Sequence, residues 1–215
     1  MIVTVAHTKG GTGKTTTALQ LALYWKIKLH KEVWLIDGDV QQSALTAVGI
    51  RADAGIVPAL PCSAYSDGRS LVSQVRAQKD KWENIIIDVG GRDTSALRAA
   101  LMVCDVLLVP VVPRSYDVWA LSDLSEVIQE AQGLGADFQT KAFLSCADSQ
   151  GKDNQAAIDS ITTFPEFEIS PTPLVRRKAF AAAGGTGLSV FEMKPSDKKA
   201  CNELAALSNA ILSTH

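Results

Sequence analysis

Residues 7–16 read His-Thr-Lys-Gly-Gly-Thr-Gly-Lys-Thr-Thr, after an apolar run at residues 2–6 and at the start of a helical pattern over residues 15–29. Glycines let a backbone wrap closely around phosphate oxygens with its N–H groups pointing inward. The helix N-terminus that follows adds partial positive charge. Lys14 stands where a lysine reaches the β- and γ-phosphates of a nucleotide, and the Thr15 hydroxyl stands where Mg²⁺ is bound. A glycine-rich turn without a ligand is the alternative, but this register of glycines, lysine and threonines favours a phosphate loop.

The rest of the chain alternates short β-branched runs with longer helical patterns. This alternation predicts an α/β fold, with a mostly parallel twisted sheet and helices on both faces. The later strands are expected at residues 33–36, 85–87, 106–109 and 141–145. The later helices are expected at residues 43–48, 71–79, 95–102, 118–132, 154–163 and 196–212, and loops at residues 170–173 and 184–187. No linker or repeat interrupts the pattern, so residues 1–215 are expected to form a single domain.

The composition restricts the possible functions. With 47% hydrophobic and 20% charged residues, the chain has the make-up of a globular protein. Its net charge of −2 means that any nucleic-acid binding needs a local basic patch. The four cysteines lack metal-site spacing, which argues against zinc or an iron–sulfur cluster and favours reduced thiols in a cytoplasmic protein. No apolar run approaches the ~20 residues of a membrane-spanning helix, so no membrane partner is expected.

Aspartates follow two of the expected strands. Asp37 and Asp39 come at the end of the second strand, and Asp88 comes at the end of the run at residues 85–87. The carboxyl ends of parallel strands meet beside the phosphate loop, where carboxylates can hold Mg²⁺ or orient an attacking water. The alternative is that these aspartates only end strands, with Asp37 and Asp39 capping the next helix.

The segment Lys-Gly-Gly-Thr-Gly-Lys-Thr-Thr at residues 9–16 resembles the deviant Walker A motif of the ParA/MinD family. The strict Walker A pattern requires a glycine at Thr8, so this chain departs from it. The resemblance implies the P-loop NTPase (deviant Walker) fold and ATP with Mg²⁺. It also implies that Lys9 crosses a dimer interface and touches the partner's phosphates, as an extra cation on developing charge. The implied nucleotide-binding residues are Lys9, Gly10, Gly11, Thr12, Gly13, Lys14, Thr15, Thr16, Pro110 and Pro113.

The aspartates extend this resemblance. Residues 37–42, Asp-Gly-Asp-Val-Gln-Gln, are similar to the family's D-x-D-P-Q segment, although Val40 stands where proline is usual. By that match, Asp39 positions the attacking water and Asp37 supports the metal. Asp88 matches the Walker B aspartate. The implied metal ligands are Thr15, Asp37 and Asp88, and the implied catalytic residues are Lys9, Lys14 and Asp39.

Two further segments are similar to the family. Gly90 and Gly91 resemble the switch segment that senses the γ-phosphate, and residues 110–117, Pro-Val-Val-Pro-Arg-Ser-Tyr-Asp, resemble the P-x-x-P-S segment near the adenine and the dimer interface. The family often places an asparagine near the end of the next strand to read adenine. Residues 145–148 are Ser-Cys-Ala-Asp, so no base-reading residue is recognised.

A basic cluster stands in the C-terminal part of the chain. Residues 173–180 and 187–192 resemble the C-terminal segment of ParA proteins, which implies contact with DNA of any sequence. Such binding depends steeply on salt, because phosphate contacts release counterions. The alternative is an ordinary solvated face. The implied DNA-binding residues are Arg176, Arg177, Lys178, Lys194, Lys198 and Lys199.

The resemblance covers nearly the whole chain and is strongest to the short, ParF-like ParA proteins of plasmid partition. It implies a weak ATPase that forms a homodimer with ATP, binds non-specific DNA on the nucleoid, and is stimulated by a small centromere-binding, ParB/ParG-like protein. No helix-turn-helix precedes the first strand, so sequence-specific operator binding is not expected.

The sequence bears differently on four alternative interpretations. A ParA-like ATPase that assists conjugative DNA transfer stays open. A MinD-like membrane-associated positioning ATPase needs a lysine-rich amphipathic tail, but residues 201–215 contain no lysine or arginine. An electron donor of the nitrogenase-reductase type needs cysteines near the switch segments, and residues 88–101 contain none. A biosynthetic ligase of the same superfamily would lack the Lys9 signature.

Overall fold

The computed structural model describes residues 1–91, 94–114, 117–149 and 152–213. Within these ranges the strands are β1 (Ile2–Val5), β2 (Val33–Asp37), β3 (Cys62–Ala64), β4 (Asn84–Asp88), β5 (Val106–Val111), β6 (Gln139–Ala147), β7 (Glu168–Ile169) and β8 (Leu174–Val175). They form one sheet in the order β3-β2-β4-β1-β5-β6-β7, with β8 paired to β6. Each of these pairings is parallel.

Helices connect the strands and cover both faces of the sheet. They are α1 (Lys14–Ile27), α2 (Ser43–Asp53), α3 (Gly68–Gln78), α4 (Thr94–Leu101), α5 (Asp117–Gly133), α6 (Lys152–Ile161), α7 (Lys178–Gly185) and α8 (Lys198–Leu212), with a short 3₁₀ helix at Lys79–Lys81. None of the helices in the described ranges is long and apolar enough to cross a membrane.

The sheet separates two hydrophobic cores. In β4, Ile86 packs into one core, with α1, α2, α7 and α8, and Ile85 and Ile87 pack into the other, with α3, α4, α5 and α6. Successive side chains of a strand point to opposite faces, so an uninterrupted apolar run is what a strand covered on both sides requires. The predicted α/β class, with a mostly parallel sheet between helices, is confirmed.

Some short elements differ from the sequence-based expectation. Strands β3, β7 and β8 have two or three residues each, which is too short for an apolar run to reveal. Helix α7 was also not anticipated, and the loop predicted at residues 184–187 was wrong at its start, because Gly184 and Gly185 are the last residues of α7. Glycine is common where helices end, so the glycines indicate that α7 ends near residue 185 but do not fix its last residue.

The strand order creates a crevice at the carboxyl end of β1. Strand β1 lies between β4 and β5, and the helix that follows it, α1, lies on the opposite face from α5, which follows β5. The loops after β1 and β5 therefore diverge. In open α/β sheets, ligands bind at this kind of switch point, outside the carboxyl ends of the strands.

Candidate nucleotide site

The phosphate loop occupies this crevice, between β1 and α1. Gly11 has φ 77° and Gly13 has φ 90°, values that favour glycine. A Cβ at Gly13 would lie 2.8 Å from Ser145 Oγ, so the end of β6 also presses on the loop. Gly13 is the N-cap of α1, and no side chain caps this helix end. Uncapped N–H groups at a helix N-terminus are available to an anion.

Lys14 is held against the loop that precedes it. Its ammonium nitrogen donates a hydrogen bond to the carbonyl oxygen of Lys9 at 2.7 Å, and the side chain is buried. Burial lowers the pKa of Lys14, whereas the negative charges of Asp88 and Asp39 act in the opposite direction. The lysine thus lies between the phosphate loop and the acidic ends of two strands, where a phosphate group would meet it.

His7 supports the start of the loop, and it is not among the site residues predicted from the sequence. The backbone N–H of Lys9 donates to His7 Nδ1 at 3.0 Å, and His7 is buried. A histidine just before a glycine-rich loop gives no local signal for this role. The contact orients the start of the loop, while Lys9 itself is partly buried at the mouth of the crevice.

Asp37 is a buried carboxylate with a structural role. The N–H of Asp39 donates to Asp37 Oδ1 at 3.0 Å, and the N–H of Leu45 donates to Asp37 Oδ2 at 2.9 Å. The N-cap residue of α2, Gln42, makes no side-chain cap, so Asp37 supplies the acceptor for the first turn from a distance. Burial raises the pKa of Asp37, and these backbone hydrogen bonds lower it. A helix-capping function was one of the two readings of the sequence, and this geometry agrees with it.

Asp39 stands on the partly exposed loop after β2, facing the loop after β4. Its Oδ1 accepts the N–H of Gln41 at 3.0 Å. A Cβ at Gly90 would lie 2.9 Å from Asp39 Cγ, so the absence of a side chain at Gly90 permits this close approach. Asp39 and Gly90, predicted to belong to two separate switch segments, are therefore neighbours.

Asp88 has the most perturbed environment among the described site residues. It is 1% exposed, and within the described part of the chain neither carboxylate oxygen accepts a hydrogen bond of normal geometry, although the Thr15 hydroxyl lies near enough to act on it. Burial raises its pKa to about 7; the Thr15 hydroxyl and the Lys14 charge lower it, and the other two strand-end aspartates raise it. A buried carboxylate whose hydrogen bonds are incomplete is costly. Such a group fits a site that is completed by a cation.

These residues can hold Mg²⁺ only together with a ligand. Among the described residues, no three histidine, cysteine, aspartate or glutamate side chains converge closely enough to hold a metal ion. Mg²⁺ prefers oxygen ligands and usually keeps several waters, with one or two carboxylates and substrate phosphates completing its shell. Asp88 and the Thr15 hydroxyl fit this pattern, and nucleotide phosphates would supply the remaining oxygens.

A mostly apolar cavity of about 240 Å³ opens beside the start of α1. Thr16 and Thr17 line one side, and Leu174 and Phe180 line the other. The cavity has the position and character of a base pocket next to a phosphate loop. Ser145 and Cys146, at the end of β6, line it where the family often has an asparagine.

The proline segment runs along the rim of the crevice. Pro110 is buried within β5, paired in register with Phe143, and Pro113 is buried just after the strand. Arg114 follows and is exposed. Ser115 and Tyr116 of the same segment lie outside the described residues.

The residues expected to bind DNA lie in three short segments. Arg177 forms hydrogen bonds with Glu203 of α8, which raises the pKa of Arg177. Arg176 is exposed and lines the 240 Å³ cavity beside α1 and a second cavity at the phosphate loop. The other four cations are exposed, at the start of α7, in the loop before α8 and at the start of α8: Lys178, Lys194, Lys198 and Lys199.

The sequence of the chain is similar to a known family and to individual proteins. Residues 3–152 match the family described as the CobQ/CobB/MinD/ParA nucleotide binding domain. The chain is 25% identical over 211 residues to the maintenance of carboxysome distribution protein A of Halothiobacillus neapolitanus, covering 97% of this chain and 94% of that protein. It is 27% identical over 215 residues to a ParA protein of Rhizobium radiobacter, covering 97% and 92%.

A solved structure extends the similarity to the fold. The chain superposes on a McdA–ATP complex from Cyanothece with a TM-score of 0.80 and 19% identity, over 98% of this chain and 95% of that one. At this identity the likeness concerns the fold alone.

Proposed function

Because the chain belongs to the CobQ/CobB/MinD/ParA nucleotide-binding family, we propose that it is a Mg²⁺-dependent ATPase of the ParA type with weak intrinsic activity. In this proposal, ATP binding and hydrolysis switch the protein between two states that position a cargo in the cell. The single domain expected over residues 1–215 would be the ATPase itself.

The observation that carries this proposal is the environment of Asp88. Among the described residues, none gives its two oxygens a hydrogen bond of normal geometry, and Thr15 and Lys14 act on it from the start of an uncapped helix. In an empty site, free energy is lost by burying the Asp88 carboxylate and the Lys14 ammonium group. It is also lost by leaving the N–H groups at the start of α1 without acceptors. A Mg²⁺–nucleotide complex would satisfy all three, since it brings positive charge to the carboxylate and phosphate oxygens to the lysine and the helix.

Each residue then has a proposed role in hydrolysis. Lys14 neutralises charge on the terminal phosphates, and Asp39 orients the attacking water from the loop after β2. Bound Mg²⁺ would neutralise charge on the phosphate oxygens. Lys9 acts at the mouth of the site on the nucleotide of a second copy. Proximity of Asp39 to Gly90 supports a switch in which the loops after β2 and β4 move together.

The proposal also includes three partners: a second copy of the chain, DNA and a small protein. The protein forms a homodimer with ATP, binds non-specific DNA through the exposed lysines near α8, and is stimulated by a small centromere-binding protein. The match to a ParA protein over 97% of the chain supports this assignment. A protein of this kind would be found on the nucleoid in the cytoplasm.

A second candidate cargo is a protein body instead of a plasmid. The match to a carboxysome distribution protein also covers 97% of this chain, at similar identity. Both cargos require the same ATP cycle and differ in the adaptor that stimulates hydrolysis. Deleting the gene distinguishes them: loss of a plasmid from the population supports partition, whereas clustering of a protein body without plasmid loss supports the second candidate.

ATP turnover tests the proposed activity directly. Purified protein should bind a fluorescent ATP analogue and release phosphate slowly with Mg²⁺, and chelating Mg²⁺ should stop the release. Lys14→Ala should weaken nucleotide binding at least tenfold, because a charge-assisted contact contributes about 1.5–3 kcal/mol. Lys81→Ala, an exposed lysine in the 3₁₀ helix, is the matched control. Full activity of Lys14→Ala would contradict the assignment.

A further inference from the structure

The two helices that begin at the nucleotide site both reach the same distant segment. Helix α1 begins at Lys14, at the end of the phosphate loop, and α2 begins at Ser43, shortly after the loop that carries Asp39. Farther along, each helix contacts the loop before α8, residues 186–197. The lysines proposed to bind DNA near α8 lie in this loop or directly after it. One segment thus connects the two helices of the nucleotide site with the proposed DNA surface.

Gln20, in the second turn of α1, holds the loop before α8 from one side. Its side-chain nitrogen donates to the carbonyl oxygen of Leu188 at 2.9 Å, and its side-chain oxygen accepts the N–H of Val190 at 2.9 Å. Gln20 and Val190 are fully buried, so water does not compete for these hydrogen bonds. An amide that uses both its donor and its acceptor on one backbone segment fixes that segment against the helix.

Arg51, near the end of α2, holds the same loop from the other side. Its two terminal nitrogens donate to the two carboxylate oxygens of Glu192 at 2.8 and 2.9 Å, and one of them also donates to the carbonyl oxygen of Gly187 at 3.1 Å. A Cβ at Gly187 would lie 2.7 Å from the carbonyl oxygen of Ala47, so the backbone of the loop lies directly against that of α2. A bidentate pair fixes the relative orientation of its two partners. The loop before α8 is therefore tied to α2 as well as to α1.

The start of α2 is in turn tied to the aspartates of the site. Asp37 accepts the N–H of Asp39 and the N–H of Leu45, which belongs to the first turn of α2. Because a helix is a rigid element, a displacement of its first turn reaches its far end. Replacing a buried ion pair by apolar groups is often neutral or stabilising. The pair of Arg51 and Glu192 is thus better explained by the single register that it imposes on α2 and the loop.

We propose that Gln20, Arg51 and Glu192 form a clamp that couples occupation of the nucleotide site to the position of the loop before α8. The clamp joins the helix of the phosphate loop to the helix of the Asp39 loop through one segment. When a nucleotide draws the Asp39 loop towards its phosphates, α2 moves relative to α1, and the loop held by both helices shifts. The shift repositions the lysines at the start of α8. This inference rests on the proposed function and extends it to the regulation of DNA binding.

Amide hydrogen exchange of the dilute protein tests the clamp without DNA. The parent is compared with and without a non-hydrolysable ATP analogue and Mg²⁺. Exchange should change in two segments, the phosphate loop at residues 8–17 and the segment at residues 186–199. In Gln20→Met combined with Arg51→Lys, the phosphate loop should still respond, but the response of residues 186–199 should be lost. A purely structural role of the clamp predicts faster exchange of this segment in both states, with the difference between the states retained.

The control makes the same two substitutions on the surface. Arg76→Lys with Gln132→Met changes exposed residues of α3 and α5 and should respond like the parent. Unfolding transitions verify that each variant is folded. If the double variant does not fold, Glu192→Gln takes its place, because it removes the negative charge and keeps one oxygen for Arg51. This milder change should weaken the response of residues 186–199.

DNA binding supplies an independent measurement. In the parent, the ATP analogue should tighten DNA binding by about 5–150-fold, and DNA should tighten binding of the analogue by the same factor, because coupling between two sites is reciprocal. Both factors should fall at least fivefold in the double variant.

The outcomes separate the clamp from the proposed function. An undiminished response of residues 186–199 in the double variant overturns the clamp, as does a parent whose phosphate loop responds while residues 186–199 do not. A parent that shows both responses but binds no DNA overturns the proposed DNA binding and leaves the clamp standing. A parent whose phosphate loop does not respond to the analogue overturns the proposed ATPase and the clamp with it.

Discussion

The ammonium nitrogen of Lys14 lies 2.7 Å from the carbonyl oxygen of Lys9, so the side chain of one lysine is hydrogen-bonded to the backbone of the other. Gly91, in the loop after β4, lies directly against this pair. A Cβ at position 91 would be 3.0 Å from Lys14 Nζ and 3.0 Å from the Lys9 carbonyl oxygen. The loop after β4 therefore packs so closely on the phosphate loop that a side chain at position 91 requires the neighbouring atoms to shift.

Gly91→Ala should disturb both loops at once. The added methyl would push the Lys9 carbonyl, or the loop after β4, aside by a few tenths of an ångström, and overpacking of this kind costs about 1–3 kcal/mol. We expect a lower unfolding midpoint and weaker nucleotide binding, measured by thermal unfolding and by titration with an ATP analogue. Gly49→Ala is the matched control, since Gly49 is exposed within α2 with no atom within 4 Å. The control should be neutral or stabilising, by up to about 1 kcal/mol. Equal effects of the two substitutions would contradict the close packing described here.

The residues of the site could be predicted from the sequence because each one is marked by its neighbours in the chain. The phosphate loop is a contiguous run, and Asp37, Asp39 and Asp88 each follow an apolar strand. Parallel strands bring their carboxyl ends to one edge, so the convergence of these residues follows from the fold class. Membership of the nucleotide-binding family confirms the resemblance read from the loop.

Long-range contacts could not be predicted in this way. Arg51 is 1% exposed and pairs with Glu192, a residue 141 positions away, while also donating to the carbonyl oxygen of Gly187. The Gln20 side chain holds the same C-terminal loop through Leu188 and Val190. Buried arginine is uncommon, and nothing near Arg51 in the sequence indicates its partner. These contacts depend on the tertiary arrangement of α1, α2 and the loop before α8.

Asp88→Asn should stabilise the ligand-free protein in a pH-dependent way. Burial raises the pKa of Asp88 from 3.8 to about 7, so the cost of ionising it in the folded state is absent at low pH, grows as pH rises between these values, and is complete above pH 7. The asparagine removes that cost. The gain in unfolding free energy should therefore be larger at pH 8 than at pH 5, by about 2–3 kcal/mol.

Denaturant unfolding at both pH values measures this difference. Asp80→Asn, in the exposed 3₁₀ helix, controls for a general effect of net charge. The same Asp88→Asn variant should bind ATP less tightly when Mg²⁺ is present, because it lacks the carboxylate proposed to meet the cation. If the Asp88→Asn variant is instead less stable than the parent at pH 8, other groups in the folded chain compensate the negative charge of Asp88.

Charge reversal at the start of α8 tests the proposed DNA surface. Lys198→Glu with Lys199→Glu should weaken ATP-dependent binding to DNA of any sequence, and the slope of log affinity against log salt should flatten by about 2, for two lost phosphate contacts. Acidic residues in a first turn suit the helix dipole, so the variant should remain folded. Lys79→Glu with Lys81→Glu makes the same charge change in the 3₁₀ helix and should leave DNA binding close to that of the parent. Unchanged binding by the α8 variant, measured by fluorescence anisotropy, would place the DNA surface elsewhere.

Lys9→Ala tests whether this lysine acts on the nucleotide of a second copy. In the proposed function, Lys14 serves the nucleotide of its own subunit, and Lys9 is partly buried at the start of the same loop. The variant should bind ATP when dilute but lose ATP-induced dimers, measured by light scattering, and lose stimulated hydrolysis. Lys9→Arg should not restore full activity, because a planar fork does not replace a compact ammonium in a tight phosphate site. Lys28→Ala, at the exposed C-cap residue of α1, is the control for loss of a lysine elsewhere on the surface.

Mixing two inactive variants decides the direction of action. In a dimer of Lys9→Ala with Asp39→Ala, the nucleotide on the Lys9→Ala subunit has an intact Asp39 beside it and an intact Lys9 from the partner. The other nucleotide lacks both groups. An equal mixture with random pairing should therefore recover about one quarter of the parent turnover. If Lys9 acts within its own subunit, every site lacks one group and the mixture stays inactive. Inactivity despite heterodimers detected by differently tagged subunits would therefore reject action across the interface.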